Sequence, residues 1–252
     1  MSLFRINAPR TTALRDGDEI VVAGAQVRMK VNTKARRISL RIDRAGRRVI
    51  AVAPSERKLS DAAAFARDRA EWIAKQMASV PDVKPMQPGD MLTVFGNPVR
   101  LERAPGRTRL TAANALHPAR LIASGEGEVW TRAVLRRLKA EAKAQLTLLT
   151  AAHCEALGQP LPPVSVMDAK ARWGSCKPAH GREPAAIRYS WRLALCPPSV
   201  ADYVCAHEAA HLIEANHGPR FWALVHDLVG DHKPHRDWLK RHGGEVHAVG
   251  QA

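Results

Sequence analysis

No apolar run in this sequence approaches the roughly 18–20 residues that a bilayer-spanning helix needs. The best N-terminal stretch, 20–27, follows Asp16, Asp18 and Glu19, the wrong flank for a secretory signal or a transit peptide. A chain without a membrane span, in the cytoplasm, is expected. Cysteine is scarce. The four, at positions 154, 176, 196 and 205, form no C-x-x-C pair, which argues against a zinc ribbon or a disulfide scaffold and for reduced thiols. Cys196 and Cys205 sit among apolar residues and read as small core residues. Aromatics make up 5%, and residues 1–60 hold only Phe4, too few for a platform that stacks single-stranded nucleic acid. No phosphate-cradling glycine loop, internal repeat or low-complexity tract occurs.

Acidic residues are the other shortage: 24 Asp plus Glu against 39 Lys plus Arg leave 252 residues with a net charge of +15. Residues 1–60 carry 14 basic and 5 acidic side chains, so nine of the fifteen excess charges lie there. Between Arg28 and Arg48, nine basic residues face only Asp43. Such a patch invites phosphates, on nucleic acid, a nucleotide or a membrane surface, unless it is simply the solvated face of a strand. What remains is ordinary: 46% hydrophobic and 25% charged residues exclude a disordered, collagenous or coiled-coil chain.

The first third reads as short strands, 20–23, 26–30, 38–42 and 49–52, with Ile38, Leu40 and Ile42 alternating against Ser39 and Arg41. A helix capped by Ser60 follows, with Phe65, Trp72, Ile73, Met77 and Val80 at helical spacing and Trp72 as a core anchor. Pro81, Pro85, Pro88 and Gly89 form a connector, and Gly96-Asn97-Pro98 turns a hairpin. Residues 104–118 look irregular, and Leu121-Ile122 adds a strand. A long helix from 128 to 157 buries Leu135, Leu138, Ala142 and Leu149.

The chemistry lies in His207-Glu208-Ala209-Ala210-His211. Ser199, with Asp202 as its capping-box partner, is expected to start a helix that puts His207 and His211 on one face, four residues apart. Two neutral imidazoles at that spacing suit one Zn²⁺ ion. Glu208 lies about 100° around the helix, placed to take a proton from a metal-bound water. A third ligand is needed, and His217 supplies it if the helix stops near Asn216, in the left-handed conformation, with Gly218 and Pro219 opening the next helix. Of the other histidines, His226, His232, His235, His242 and His247 read as solvated. The spacing also fits H-E-x-x-H-x-x-G-x-x-H, but Glu214 holds the glycine position and no Met follows Met167, which disfavours the metzincins.

The order Arg172-Trp173-Gly174-Ser175-Cys176, Tyr189-Ser190-Trp191-Arg192-Leu193, Pro197, Asp202-Tyr203-Val204, the HEAAHL run, Asn216-His217 and Phe221-Trp222 resembles the YgjP-like metallopeptidase family, itself related to the SprT-like and WLM zincins. The early 36–42 and 49–54 segments and Glu71-Trp72-Ile73 resemble its N-terminal part. Ala209 replaces the usual Leu, and the 177–186 loop is longer than usual. The resemblance implies an α+β fold: a mostly antiparallel β region packed with a helical zincin-type catalytic unit. The charge distribution and the element pattern give a basic, β-rich region with one helix over residues 1–125, followed by a zincin-like metallohydrolase domain over 126–252. The metal ligands map to His207, His211 and His217 and the base to Glu208. Trp173, Gly174 and Ser175 become part of a substrate wall, with Gly174 permitting close backbone approach.

The expected function is therefore that of a zinc-dependent metallohydrolase, first of all a peptidase using Glu208-activated zinc-bound water. Arg172, Tyr189 and Arg220 are the candidate oxyanion donors. A metal-dependent nucleotide phosphohydrolase of pyrophosphatase type is the alternative, and a nucleic-acid-binding module with zinc a further one. A closed structural site needs four ligands and no base, which argues against the last. A Cys176–His nucleophile pair lacks an orienting motif. The expected cofactor is one Zn²⁺ per chain. The expected partners are a protein or peptide substrate or a nucleotide, with nucleic acid possible at the basic N-terminal region.

Overall fold

The computed structural model describes residues 13–43, 46–80, 84–115, 117–169 and 172–250, so the readings of Phe4, Arg44 and Pro81 fall outside it. The fold is α+β, with three small mixed sheets and helices on them. Contacts divide the chain into two compact units, 1–81 and 82–252.

In the first unit β1 (Glu19–Val22), β2 (Ala25–Val31), β3 (Ser39–Asp43) and β4 (Arg48–Ala53) form a sheet in the order β1-β2-β4-β3. β2 and β4 run parallel, and the other pairs are antiparallel. Strand alternation sends Val27, Met29, Val49 and Ala51 to the face that meets the helices, all fully buried. Each such side chain other than Ala contributes about 1.5–3 kcal/mol by leaving water. Opposite them, Arg28, Lys30, Arg41 and Arg48 occupy alternate positions on the other face, so four of the nine residues of the basic run lie on one side of a sheet.

The helix expected from Ser60 is two: α1 (Leu59–Asp68) and α2 (Ala70–Ala78). Arg69 (φ −104°, ψ 22°) interrupts them, and Lys58 rather than Ser60 precedes α1, after a single 3-10 turn. Leu59, Ala62, Ala66 and Ile73 supply the buried stripe. Trp72 does not belong to it. It is 40% exposed, because it sits one residue off the Ile73 face.

In the second unit β5 (Met91–Val94), β6 (Asn97–Arg103), β7 (Arg109–Thr111) and β8 (Ala119–Ala123) form a sheet in the order β5-β6-β8-β7. The 104–118 stretch expected to be irregular thus contains a short strand. The hairpin turns at Phe95-Gly96, one residue before the expected tripeptide. Both residues have positive φ (46° and 81°), as a tight two-residue turn requires. Phe95 N–H donates to the Ala194 carbonyl (2.7 Å). Val99, Leu101 and Leu121 bury their side chains in one cluster with Trp130 and Leu138 of α3 (Gly127–Ala156). This sheet therefore packs within the second unit, although composition had grouped it with the basic strands.

α3 matches its expected span to within a residue; of the expected stripe Leu138 and Ala142 are buried and Leu135 and Leu149 half-buried, and Leu146, Thr150 and Cys154 are buried beside them. β9 (Val164–Met167), β10 (Gly174–Lys177) and β11 (Ala186–Ser190) form the third sheet, ordered β10-β11-β9, with β10 at its edge. A 3-10 segment, 191–195, leads into α4 (Pro198–Ala210), and α5 (Pro219–Val229) and α6 (Lys233–Ala248) complete the unit. Among the described residues no helix is long and apolar enough to cross a membrane.

Candidate metal centre

α4 is buried almost all round: Val200, Ala201, Tyr203, Val204, Cys205, Ala206, Ala209 and Ala210 are all at most 5% exposed. A helix enclosed in this way is a fixed platform for the side chains it carries. Its start differs from expectation. Pro197 is the N-cap and Pro198 the first helical residue, so Ser199 lies inside the first turn and caps nothing. Asp202 does not reach back along the helix. Its carboxylate instead bonds His153 Nε2 of α3 (2.7 Å), tying the two helices together.

The helix also ends six residues earlier than predicted. His211 is already its C-cap, and Leu212 and Ile213 donate to the carbonyls three residues back, a tightened last turn. Asn216 is not left-handed. Its carbonyl accepts from Gly218 N–H (2.7 Å), and this narrow turn carries His217 back toward the helix. Pro219 then opens α5, as expected.

The outcome is convergence. One nitrogen each from His207, His211 and His217 all lie within 4.8 Å of one another, a group that could hold a metal ion. His207 Nε2 and His217 Nε2 are 3.0 Å apart. His211 Nδ1 faces the Glu214 carbonyl at 3.0 Å. When it carries the proton it donates there and leaves Nε2 with its lone pair. His207 Nδ1 is buried without a hydrogen-bond partner. Burial, followed by the neighbouring His211 and His217, pushes the His207 pKa down to about 3. His217 is pushed down as well, by burial and then by His211. Neutral imidazole is the form that binds metals.

Phe221 forms the apolar side of the cluster. Fully buried, its ring centroid stands 4.8, 4.5 and 4.7 Å from those of His207, His211 and His217. It lies one helical turn beyond His217, a spacing visible in the sequence but read there only as part of a family pattern.

Glu208 is 6% exposed and lies beside the imidazoles in a cleft of about 330 Å³. The cleft is lined by Gly174, Ser175, Cys176 and Pro178, by the three histidines with Glu208, and by Ala215. Among the described residues no Lys or Arg lines it. Burial lifts the Glu208 pKa to about 7, against the opposing pull of Cys176 N–H, which donates to the carboxylate, and of the Arg172 charge. Gly174 is where β10 meets this side chain: a Cβ there would stand 2.5 Å from Glu208 Oε1 and 2.7 Å from Cγ.

Residues 36–242 match the family model described as YgjP-like, metallopeptidase domain. The chain belongs to the YgjP-like metallopeptidase family. It therefore carries a metallopeptidase-type hydrolase domain, with a triad of histidines able to hold a metal. Comparison with curated proteins and with solved structures gives no match.

In this YgjP-like chain the residues named from the sequence are not all brought together. Gly174 and Ser175 line the cleft on the edge strand. Trp173 does not. Its ring stacks on His247 (centroids 4.1 Å) and lies over Gly243 of α6, anchoring the start of β10. Arg172 is exposed but close enough to act on Glu208. Tyr189 is fully buried and its hydroxyl bonds Thr150 Oγ1 (2.9 Å), so the structure leaves it outside the cleft. Arg220 points to solvent, its side chain 89% exposed and 3.8 Å from Glu214. The 178–185 loop closes as a hairpin tied by Lys177–Glu183 (2.5 Å), and Pro178 contributes to the cleft.

Four histidines read as solvated have ring partners: His247 on Trp173, His232 on Trp222 at 4.3 Å, His235 on Tyr203 at 5.9 Å and His242 on Trp238 at 5.0 Å. Trp222 in turn stands 6.0 and 5.8 Å from His207 and His217. His232 therefore extends the aromatic surround of the cluster.

Proposed function

We propose that this chain is a zinc-dependent peptidase whose ligands are His207, His211 and His217 and whose general base is Glu208. The observation that carries the reading is the convergence of three imidazole nitrogens beside a buried carboxylate in one cleft. The donor set fits zinc. Nitrogen ligands about 2.0–2.1 Å from a tetrahedral ion stand a little over 3 Å apart, which lies between the 3.0 Å of the His207–His217 pair and the 4.8 Å that bounds all three nitrogens. Three protein ligands leave one position open, the pattern of a catalytic site.

Zinc held there would polarise a scissile carbonyl and ease loss of a proton from water. Glu208 accepts that proton and returns it to the leaving amine, a task suited to a carboxyl with a pKa of about 7. Burial and the Cys176 N–H hold its carboxylate in one place. Phe221 excludes water from one side of the ligands. The edge strand β10 supplies a backbone wall for an extended substrate, and Arg172 is the sequence-named donor best placed for the oxyanion. Among the described residues no Lys or Arg lines the cleft, which favours a peptide over a polyphosphate. Location in the cytoplasm belongs to the same proposal.

The test offers peptides and nucleoside triphosphates to metal-stripped chain and to chain reloaded with zinc. Zinc-dependent peptide cleavage without phosphate release is expected. Nucleotide hydrolysis without peptide cleavage contradicts the proposal.

A further inference from the structure

β3 is an edge strand. Among the described residues only β4 pairs with it, so alternate N–H and C=O groups on its other side have no strand partner. A groove of about 340 Å³ runs beside that edge, where Ser39 and Leu40 of β3 meet the α1–α2 junction. Its apolar lining is Ile38, Leu40, Phe65 and Trp72, with Arg37 and Arg69 as its charged lining. Phe65, Arg69 and Trp72 fall at positions i, i+4 and i+7, a single helical face. The Arg69 guanidinium lies 5.6 Å from the Phe65 ring centroid. Trp72 is the exposed aromatic of this unit that the core does not use.

The opposite face of the same edge is basic. Across the ladder Arg41 pairs with Ile50, and Ile50 with Arg28. Asp43, the acid on that face of β3, is already bonded by Arg48 (3.2 Å). A strand laid along β3 would turn alternate side chains to the two faces. One set would meet Leu40, Phe65 and Trp72, and the other would meet Arg41, with Arg37 and Arg69 beside the groove.

We propose that the free edge of β3 and the groove beside it form a docking site for an extended peptide segment in which apolar and acidic residues alternate. Main-chain hydrogen bonds to β3 supply affinity, and the two unlike faces supply specificity. A single-stranded nucleic acid fits less well. Stacking needs open ring faces, and here Arg69 lies over Phe65 while Ile38 and Leu40 offer no plane. The site uses none of the residues of the metal centre.

The test is fluorescence anisotropy with a labelled short peptide alternating valine and glutamate, titrated with the full chain carrying Glu208→Gln so that cleavage does not consume the probe. Binding to β3 uses the N–H groups of one alternate set only. N-methylating either the valines or the glutamates should therefore abolish binding, while methylating the other set should not. Arg41→Glu, an exposed change on the face that the glutamates would meet, and Trp72→Ala should each weaken binding about tenfold. Equal affinity for the two methylated peptides, or no effect of Arg41→Glu, overturns the proposal. Tighter binding of a single-stranded oligonucleotide that displaces the peptide overturns it in favour of a nucleic-acid site. Since the probe is read by binding alone, its result stands whether or not the chain proves to be a peptidase.

Discussion

Replacing Gly174 with alanine isolates the positioning of Glu208 from every other property of the cleft. Gly174 does not have positive φ, so the backbone tolerates alanine. The new Cβ, however, would stand 2.5 Å from Glu208 Oε1, 2.7 Å from Cγ and 2.8 Å from Cδ. Ordinary carbon contacts begin near 3.5 Å, so the carboxylate must retreat by about 1 Å. Three consecutive atoms are involved, and rotating the terminal oxygen alone does not relieve them. Retreat also breaks the bond from Cys176 N–H, worth about 1.5–3 kcal/mol for a charged acceptor. A displacement of about 1 Å at a reacting group costs on the order of 100-fold in rate. Overpacking costs about 1–3 kcal/mol of stability. Steady-state peptide cleavage, thermal unfolding and zinc content would be measured on one preparation. The expected result is a kcat reduced about 100-fold, a modest loss of Tm and an unchanged zinc content, because the ligands lie away from Gly174. A kcat within a few-fold of the parent would refute the claim that β10 fixes the carboxylate.

Other consequences are independent of that one. Asp168→Ala leaves the Arg192 guanidinium, 1% exposed, without its carboxylate partner and should cost about 3 kcal/mol in denaturant unfolding; a loss below about 0.5 kcal/mol speaks against a structural ion pair. Gly243→Val drives a side chain into Trp173, whose Cζ2 would stand 3.1 Å from a Cβ there; kcat should fall with Tm, and full activity would mean that Trp173 does not hold β10. Burial lifts the thiols of Cys176, Cys196 and Cys205 to about 12 and raises that of Cys154, so all four stay protonated at neutral pH. A thiol reagent should label the native chain slowly there and the denatured chain fast, and one rapidly labelled native cysteine contradicts that burial.

How much was legible beforehand depended on how local each interaction is. The spacing of His207 and His211 on a helix is local geometry, and it was readable. So was the return of His217, since Gly218-Pro219 announces a new helix. How the chain returns was not readable, because the tightened turn after Ala210 and the narrow turn at Asn216 depend on where α5 packs Phe221. The need for glycine at 174 was foreseen, but not its reason: the residue that approaches is Glu208, 34 positions away, and only tertiary structure joins them. Tyr189 shows the same limit in reverse. Alternation along β11 says that Arg188 and Tyr189 face opposite ways, not which of them meets the cleft. Trp72 looked like core because it follows helical spacing, but the buried stripe of Leu59, Ala62, Ala66 and Ile73 passes one residue to its side. His232 and His247 looked solvated because their partners, Trp222 and Trp173, lie on other elements.

The account rests on Glu208 acting as the base at a metal held by three histidines. Its most direct test is peptide turnover by Glu208→Gln protein shown to retain one zinc per chain. The account predicts that turnover falls by at least about 1,000-fold with zinc undiminished, since amide and carboxyl have the same shape but only the carboxylate takes a proton. Turnover equal to the parent's, with the same zinc content, would contradict it.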